Sequence, residues 1–201
     1  MRKASLSVAP VLSFSLGTLA VGMLALVMST GPAVAEVRSL STTGTITVVG
    51  LTDVQLCVRE TLRDNLDEAD YWCTRTLQRA ESSINSRAVA SVHRGVLNLK
   101  RGRTVDALTD MNEAIRLTPD YGDAHFNLGN ALFALGRYDE AAQAYGSAIA
   151  LANSTMPDLT YFNRAKAHER LGRTDLARAD YDRARALMTP DSPLRGRLAQ
   201  Y

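Results

Sequence analysis

The stretch NLGNALFALGRYDEAAQAYGSA, Asn127 to Ala148, decides the fold. Two runs of helix-forming residues meet at Gly136-Arg137. Glycine there supplies the positive φ that ends a helix. Gly129 on the first run and Ala141 on the second are small enough to let two antiparallel backbones approach closely. Tyr145, one turn beyond Ala141, fills the space beside that contact.

The same pattern recurs on both sides of this stretch. Gly102, Gly136 and Gly172 are each followed by an arginine, Arg103, Arg137 and Arg173, and the Gly spacings are 34 and 36. Ala107, Ala141 and Ala177 keep those spacings, as do Ala114, Ala148 and Ala184, and Leu117, Leu151 and Leu187. Four positions in one register mark an internal repeat. A single helix pair cannot bury its apolar face alone, so neighbouring pairs stack into a solenoid.

On these residues the chain resembles the tetratricopeptide-repeat family. The copy at 88–121 carries Gly95, Gly102, Ala107, Met111, Ala114 and Pro119 in matching places, and the copy from Asp158 carries Ala165, Gly172, Ala177, Tyr181 and Ala184. This last copy departs from the pattern in two turns: the linker Ala152 to Pro157 is two residues longer, and Pro190 comes one position late. The resemblance implies an all-α, right-handed solenoid of three full helix-turn-helix repeats, 88–121, 122–155 and 158–190. Helices are expected near 88–101, 105–118, 122–135, 138–151, 158–171 and 174–187. Repeat packing falls to Gly95, Ala107, Gly129, Ala141, Ala165 and Ala177.

A weaker copy precedes residue 88. Asp67-Glu68-Ala69 aligns with Asp139-Glu140-Ala141, which puts Cys57 where Gly129 sits and Cys73 where Tyr145 sits. These positions face each other in the family's repeat, so the two cysteines are expected close together. A disulfide suits an exported chain with an even cysteine count. Two reduced core cysteines are the second reading. A metal or redox site is the third, although no C-x-x-C and no matched His pair is present. The span 52–87 is therefore expected as a degenerate N-terminal helix pair. Ser192-Pro193 reads as a helix start, and Leu194, Leu198 and Tyr201 follow at helical spacing, so 191–201 is expected as a short capping helix.

Residues 1–35 read as a secretory signal peptide. Arg2 and Lys3 form its basic end, an apolar stretch runs from about Val8 to Met28, and Ala33-Val34-Ala35 is an A-x-A cleavage site. The expected address is the periplasm, with membrane attachment only if the leader stays uncleaved. Residues 36–51, rich in Ser, Thr and Gly, read as a flexible linker whose β-prone Thr45 to Val49 lacks a partner strand. Beyond the leader's Arg2 and Lys3, 21 basic residues meet 21 acidic ones, so no basic excess points to nucleic acid.

No catalytic motif is present: HExxH, GxSxG, P-loop and GxGxxG patterns are all missing. His93, His125 and His168 fall on different repeats and read as core or rim residues. Asp110, Asp180 and Asp182 fall on second helices and read as solvated charges. No cofactor, metal or small-molecule substrate is expected.

The resemblance makes the first helices the lining of a concave groove. Carried onto this chain, the groove positions include Val92, Val96, Leu99, Phe126, Asn127, Asn130, Phe133, Phe162, Asn163 and Lys166, beside Val89, His93, Asp123, Leu159 and Glu169. Asn both donates and accepts, which suits an extended peptide backbone and predicts weak salt dependence. The family's two-carboxylate clamp needs a basic residue and an Asn where this chain has Val92 and Val96, and two basic residues where it has Leu159 and Asn163; only Asn127 matches, so the clamp is absent. The reading is a non-catalytic scaffold or adaptor of the cell envelope that binds another protein or an extended peptide. The alternative is a structural or membrane-tethered envelope component that self-associates.

Overall fold

The computed structural model describes residues 36–40, 46–49, 51–189, 192 and 194–198; the expected signal peptide lies outside these residues. The chain divides into two units, Met1–Leu51 and Thr52–Tyr201.

In the first unit, β1 (Glu36–Leu40) pairs antiparallel with β2 (Ile46–Val49). Glu36 lies opposite Val49, Val37 opposite Val48 and Leu40 opposite Ile46, with an irregularity between Val37 and Leu40. This corrects the expectation of a linker with a lone strand. The β-prone patch does have a partner, but EVRSL holds a single β-branched residue and so carries a weak strand signal of its own.

The second unit contains eight helices among its described residues: α1 (Asp53–Leu62), α2 (Leu66–Gln78), α3 (Ile84–Lys100), α4 (Thr104–Leu117), α5 (Gly122–Ala134), α6 (Tyr138–Leu151), α7 (Pro157–Arg170) and α8 (Thr174–Leu187). They form the expected solenoid of antiparallel pairs, α1–α2, α3–α4, α5–α6 and α7–α8, each stacked on the next. None of these helices is long and apolar enough to cross a membrane.

Local chemistry sets the ends. The Thr52 side chain accepts from the Gln55 amide and the Gln55 side chain accepts from the Thr52 amide, a capping box that starts α1. Ser83 caps α3 at the Ser86 amide, so this helix begins before the expected residue 88. Within each full repeat the first helix closes on a glycine with φ near +70°: Gly102, Gly136 and Gly172 at 74°, 75° and 71°. The next amide reaches back across the turn, Arg103 to Asn98 O at 2.8 Å, Arg137 to Leu132 O at 3.0 Å and Arg173 to His168 O at 2.9 Å. A Cβ at these glycines meets nothing within 4 Å, so only the backbone conformation demands them. Gly129 answers a different demand. A Cβ there would lie 2.5 Å from Cε1 of the buried Tyr145 ring.

The longer linker after α6 has a job. Ala152 turns the chain at φ 53°, and Asn153 then reaches back to the start of α5. It accepts from the Gly122 amide at 3.0 Å and donates to Asp120 O at 2.7 Å. Asp123 accepts from the Thr155 amide at 2.8 Å and from the Ser154 hydroxyl at 3.1 Å. Asn153, Ser154 and Thr155 of the longer linker thus cap a helix that has no side-chain cap of its own.

At the C-terminal end the capping role and the expected helix part company. Residues 194–197 form a turn closed by the Leu198 amide on Leu194 O at 2.9 Å, not a regular α-helix. Leu194 and Leu198 still cover the last repeat, packing with Phe162, Ala165, Ala177, Tyr181 and Ala184. Ser192 hydrogen-bonds Asp158 and accepts from the Leu194 amide. Pro193 and Tyr201 lie outside the described residues.

Candidate functional site

The solenoid register places two kinds of pair between the first and second helix of each repeat. The small-to-large pair recurs as Gly95–Met111, Gly129–Tyr145 and Ala165–Tyr181, at a separation of 16 residues. In the N-terminal pair the same separation joins Cys57 and Cys73. They form a disulfide with Cα atoms 4.8 Å apart, and both are fully buried. Of the three readings open for these cysteines, this is the first.

One position earlier on both helices lies an arrangement that the sequence reading missed. Arg94 forms a two-pronged ion pair with Asp110, and Asn98 donates to Asp110 Oδ2 at 2.9 Å. In the third repeat Arg164 grips Asp180 at 2.8 and 2.6 Å, and His168 Nε2 lies 3.8 Å from Asp180 Oδ2. Asp110 and Asp180 are 3% and 5% exposed. Both were expected as solvated charges; only Asp182, exposed and paired with Arg185, fits that description. The middle repeat has Leu128, Ala144 and Leu132 in the equivalent places.

The groove residues divide by depth. Val92, Phe126 and Phe162, expected to meet a ligand, are buried at 4%, 3% and 1%. Val92 packs with Met111, Ala114 and Ala124. The Phe126 and Phe162 rings pack against Tyr145 and Tyr181 at centroid distances of 6.0 and 5.5 Å. These three side chains point between the helices and build the core beneath the groove. Asp123 is held by the Asn153–Thr155 latch. Val96, Leu99, Asn127, Asn130, Phe133, Asn163 and Lys166 remain partly open.

Four of the partly open residues meet in one cleft of about 90 Å³. Asn130 and Phe133 come from α5, Asn163 and Lys166 from α7, and Tyr145 of α6 joins them from below. Tyr145, read from sequence only as packing, donates its hydroxyl to Asn130 Oδ1 at 2.8 Å. Its burial pushes the hydroxyl's pKa up, so it stays protonated and remains a donor. Asn163 Nδ2 donates to the same Asn130 oxygen at 3.0 Å. Asn130 Nδ2 reaches Asn127 Oδ1 at 3.4 Å, and Asn127 Nδ2 donates to Asp123 O at 2.8 Å. Lys166 Nζ lies 5.5 Å from the Phe133 ring centroid, and the Arg170 guanidinium lies 5.9 Å from it.

A second groove, of about 490 Å³, opens at the other end of the same face. Val54, Val58 and Leu62 of α1 recur every four residues and so share a helix face; Val89 of α3 lies opposite. Leu62 is 78% exposed. The sequence reading began the groove at Val89 and left α1 out, although the Cys57 register already puts Val54 and Val58 at groove positions. No group of three or more His, Cys, Asp or Glu is placed to hold a metal ion among the described residues.

His93 and His168 both have pKa values lowered chiefly by burial, which disfavours the charged imidazolium. Among the described residues their Nδ1 atoms are buried without a hydrogen-bond partner. His125 instead lies near the surface, with Nε2 2.9 Å from Pro119 O. The three rings sit apart from one another in the solenoid, on α3, α5 and α7.

Tetratricopeptide-repeat profiles match residues 92–157 and 160–184. The chain is 40% identical over 48 residues to small glutamine-rich tetratricopeptide repeat-containing protein 2 of Mycosarcoma maydis, covering 24% of this chain but 14% of that much longer protein. It is 41% identical over 58 residues to an uncharacterized protein of Methanocaldococcus jannaschii, covering 29% of this chain and 67% of that one. Among solved structures, a thermophilic TPR protein of Thermus thermophilus superposes with a TM-score of 0.60 at 22% identity, covering 74% of this chain and 78% of its own. With the repeat spacings and the helix pairs, these matches show that the chain belongs to the tetratricopeptide-repeat family.

Proposed function

We propose that this chain is a non-catalytic scaffold of the cell envelope that holds another protein, or an extended peptide segment of one, on the face lined by its first helices. The observation that carries the reading is the α5–α7 cleft. It lies on the face that is concave in this family and combines one aromatic wall, Phe133, with carboxamides and a cation. Such a cleft is too small for a folded ligand, yet it suits one side chain of an extended segment. Interaction through this face accords with the general role of tetratricopeptide-repeat proteins in protein–protein contacts. The A-x-A leader and the Cys57–Cys73 disulfide both support export to an oxidising compartment, the periplasm in a Gram-negative cell, with cleavage after Ala35.

The test is site-specific photo-crosslinking in the native envelope. A photoreactive residue at Asn130 or Lys166 is expected to capture a discrete partner, and the same residue at Gln143, exposed on a second helix, is expected to capture none. Crosslinks confined to Gln143, or to the β1–β2 hairpin, overturn the groove reading. Fractionation of the same cells, with the mature mass read by mass spectrometry, checks the proposed address and cleavage site.

A further inference from the structure

We infer that the groove is two-ended and selects a segment with aliphatic residues at one end and a run of carboxylates at the other. This rests on the groove reading above and names the partner's chemistry.

Hydrogen-bond accounting in the cleft carries the acidic half. The Asn130 oxygen is taken twice, by Tyr145 and Asn163, and the Asn127 oxygen is taken by Asn130. Each of these three carboxamides keeps one N–H beyond the bonds described, because each nitrogen carries two hydrogens and donates one. The carboxamides therefore present three free N–H donors, lone pairs stay open on the Asn127 and Asn163 oxygens, and the surplus of donors comes from Lys166. Lys166 adds an ammonium with three further hydrogens. Among the described residues it forms no ion pair, and neither do Arg170 or Arg197. Arg170 donates to the Tyr138 hydroxyl at 3.1 Å, and Arg197 lies 4.6 Å over the Phe162 ring. A donor surplus beside three cations complements an acceptor-only anion, and carboxylate is the anion that a polypeptide supplies. Lys166 and Arg170, one helical turn apart on α7, fit a run of acidic side chains better than one chain terminus.

The α1–α3 groove supplies the other half. Val54, Val58, Leu62 and Val89 expose hydrocarbon with little polar surface between them. The first helices pack in succession, α1 on α3, α3 on α5 and α5 on α7, so two steps separate the subsites. At roughly 8–10 Å per helix step, that is about 16–20 Å, the span of about five or six extended residues.

The experiment is fluorescence anisotropy of the full chain with the synthetic peptide carboxyfluorescein-Val-Leu-Val-Ser-Gly-Ser-Asp-Asp-Glu-amide, labelled at its N-terminus. A control replaces Asp and Glu by Asn and Gln. The acidic peptide is expected to bind about tenfold more tightly at low salt, the scale of one charge-assisted contact. The gap should shrink as NaCl rises from about 50 to about 500 mM, in contrast with the weak salt dependence expected from the Asn side chains alone. Lys166→Gln should close most of the gap, weakening the acidic peptide much more than the control peptide. Leu62→Ser should weaken both peptides alike. Equal binding of the two peptides, a gap insensitive to Lys166→Gln, or binding of neither peptide overturns the inference. If both peptides bind equally and both are weakened by Phe133→Ala, the acid preference falls while the groove reading stands. If binding ignores every groove substitution, both fall.

Discussion

The first and third repeats bury an ion pair where the middle repeat buries hydrocarbon. Arg94, Asp110 and Asn98 in one, and Arg164, Asp180 and His168 in the other, occupy the register of Leu128, Ala144 and Leu132. The two solutions occupy the same register but differ in their response to change. The aspartates are enclosed, whereas the arginine side chains remain 32% and 25% exposed. Removing the aspartate lets the guanidinium turn towards water. Removing the arginine strands a buried carboxylate. The middle repeat has no such vulnerable partner, and it is the repeat that carries most of the cleft.

The comparison can be broken most forcefully in the hydrocarbon repeat. Phe126→Ala should cost about 3–5 kcal/mol, because the ring is enclosed against Tyr145 and truncation leaves a cavity. Chemical denaturation checks this. A change within about 0.5 kcal/mol, typical of surface substitutions, would put Phe126 in the groove after all.

The disulfide comes next. Reduction, or Cys57→Ser with Cys73→Ser, should cost about 3 kcal/mol for a loop of this length. Hydrogen exchange should place the loss in α1 and α2, because the N-terminal pair has a single stacked neighbour among the described helices. Uniform loosening through α8 would show that the pair is no separate unit.

The ion-pair repeats give a sharper test because sign matters. Arg94→Leu should cost about 2–3 kcal/mol, discounted from the range for a fully buried pair because Arg94 is partly exposed. Arg94→Leu combined with Asp110→Ala, which brings in two of the middle repeat's three residues, should recover part of that loss, with Asn98 left without its acceptor. A double variant as unstable as Arg94→Leu alone would show that the salt bridge itself holds the repeat.

The smallest effect is acid sensitivity. In the folded state burial lowers the pKa of His93 and His168 below the ordinary value near 6.5, so the unfolded chain binds more protons in that window. Their contribution is fully present above about pH 6.5 and is lost as pH falls through the folded pKa values. His168→Asn, which copies Asn98, should reduce the drop in Tm between about pH 7.5 and pH 5.5. An unchanged drop would assign the acid sensitivity to His93 or to the carboxylates.

The fold was legible because spacing survives where identity drifts. Gly102, Gly136 and Gly172 needed only a turn with positive φ, and that demand leaves glycine in the sequence. The separation of 16 residues that predicted Cys57 beside Cys73 also joins Arg94 to Asp110 and Arg164 to Asp180. The ion pairs were therefore readable, but a charged residue on a second helix was taken as solvated by its type and not by its register. Groove depth was a harder matter. Val92, Phe126 and Phe162 share a face with Asn130 and Lys166, and only the packing of neighbouring repeats decides which of them sinks between helices. The partner of β2 escaped for a similar reason: strand pairing joins residues whose own propensities are weak.

The central claim is that the open residues of the α5–α7 cleft, and not the buried aromatic residues beneath them, hold the partner. Phe133→Ala and Asn163→Ala test it most directly, with partner capture from the native envelope and Tm measured on the same preparations. The account predicts capture reduced about tenfold, the scale of a well-placed central contact, with Tm within a few degrees of wild type. Full capture by both variants at unchanged Tm would contradict it and move the binding surface off this face.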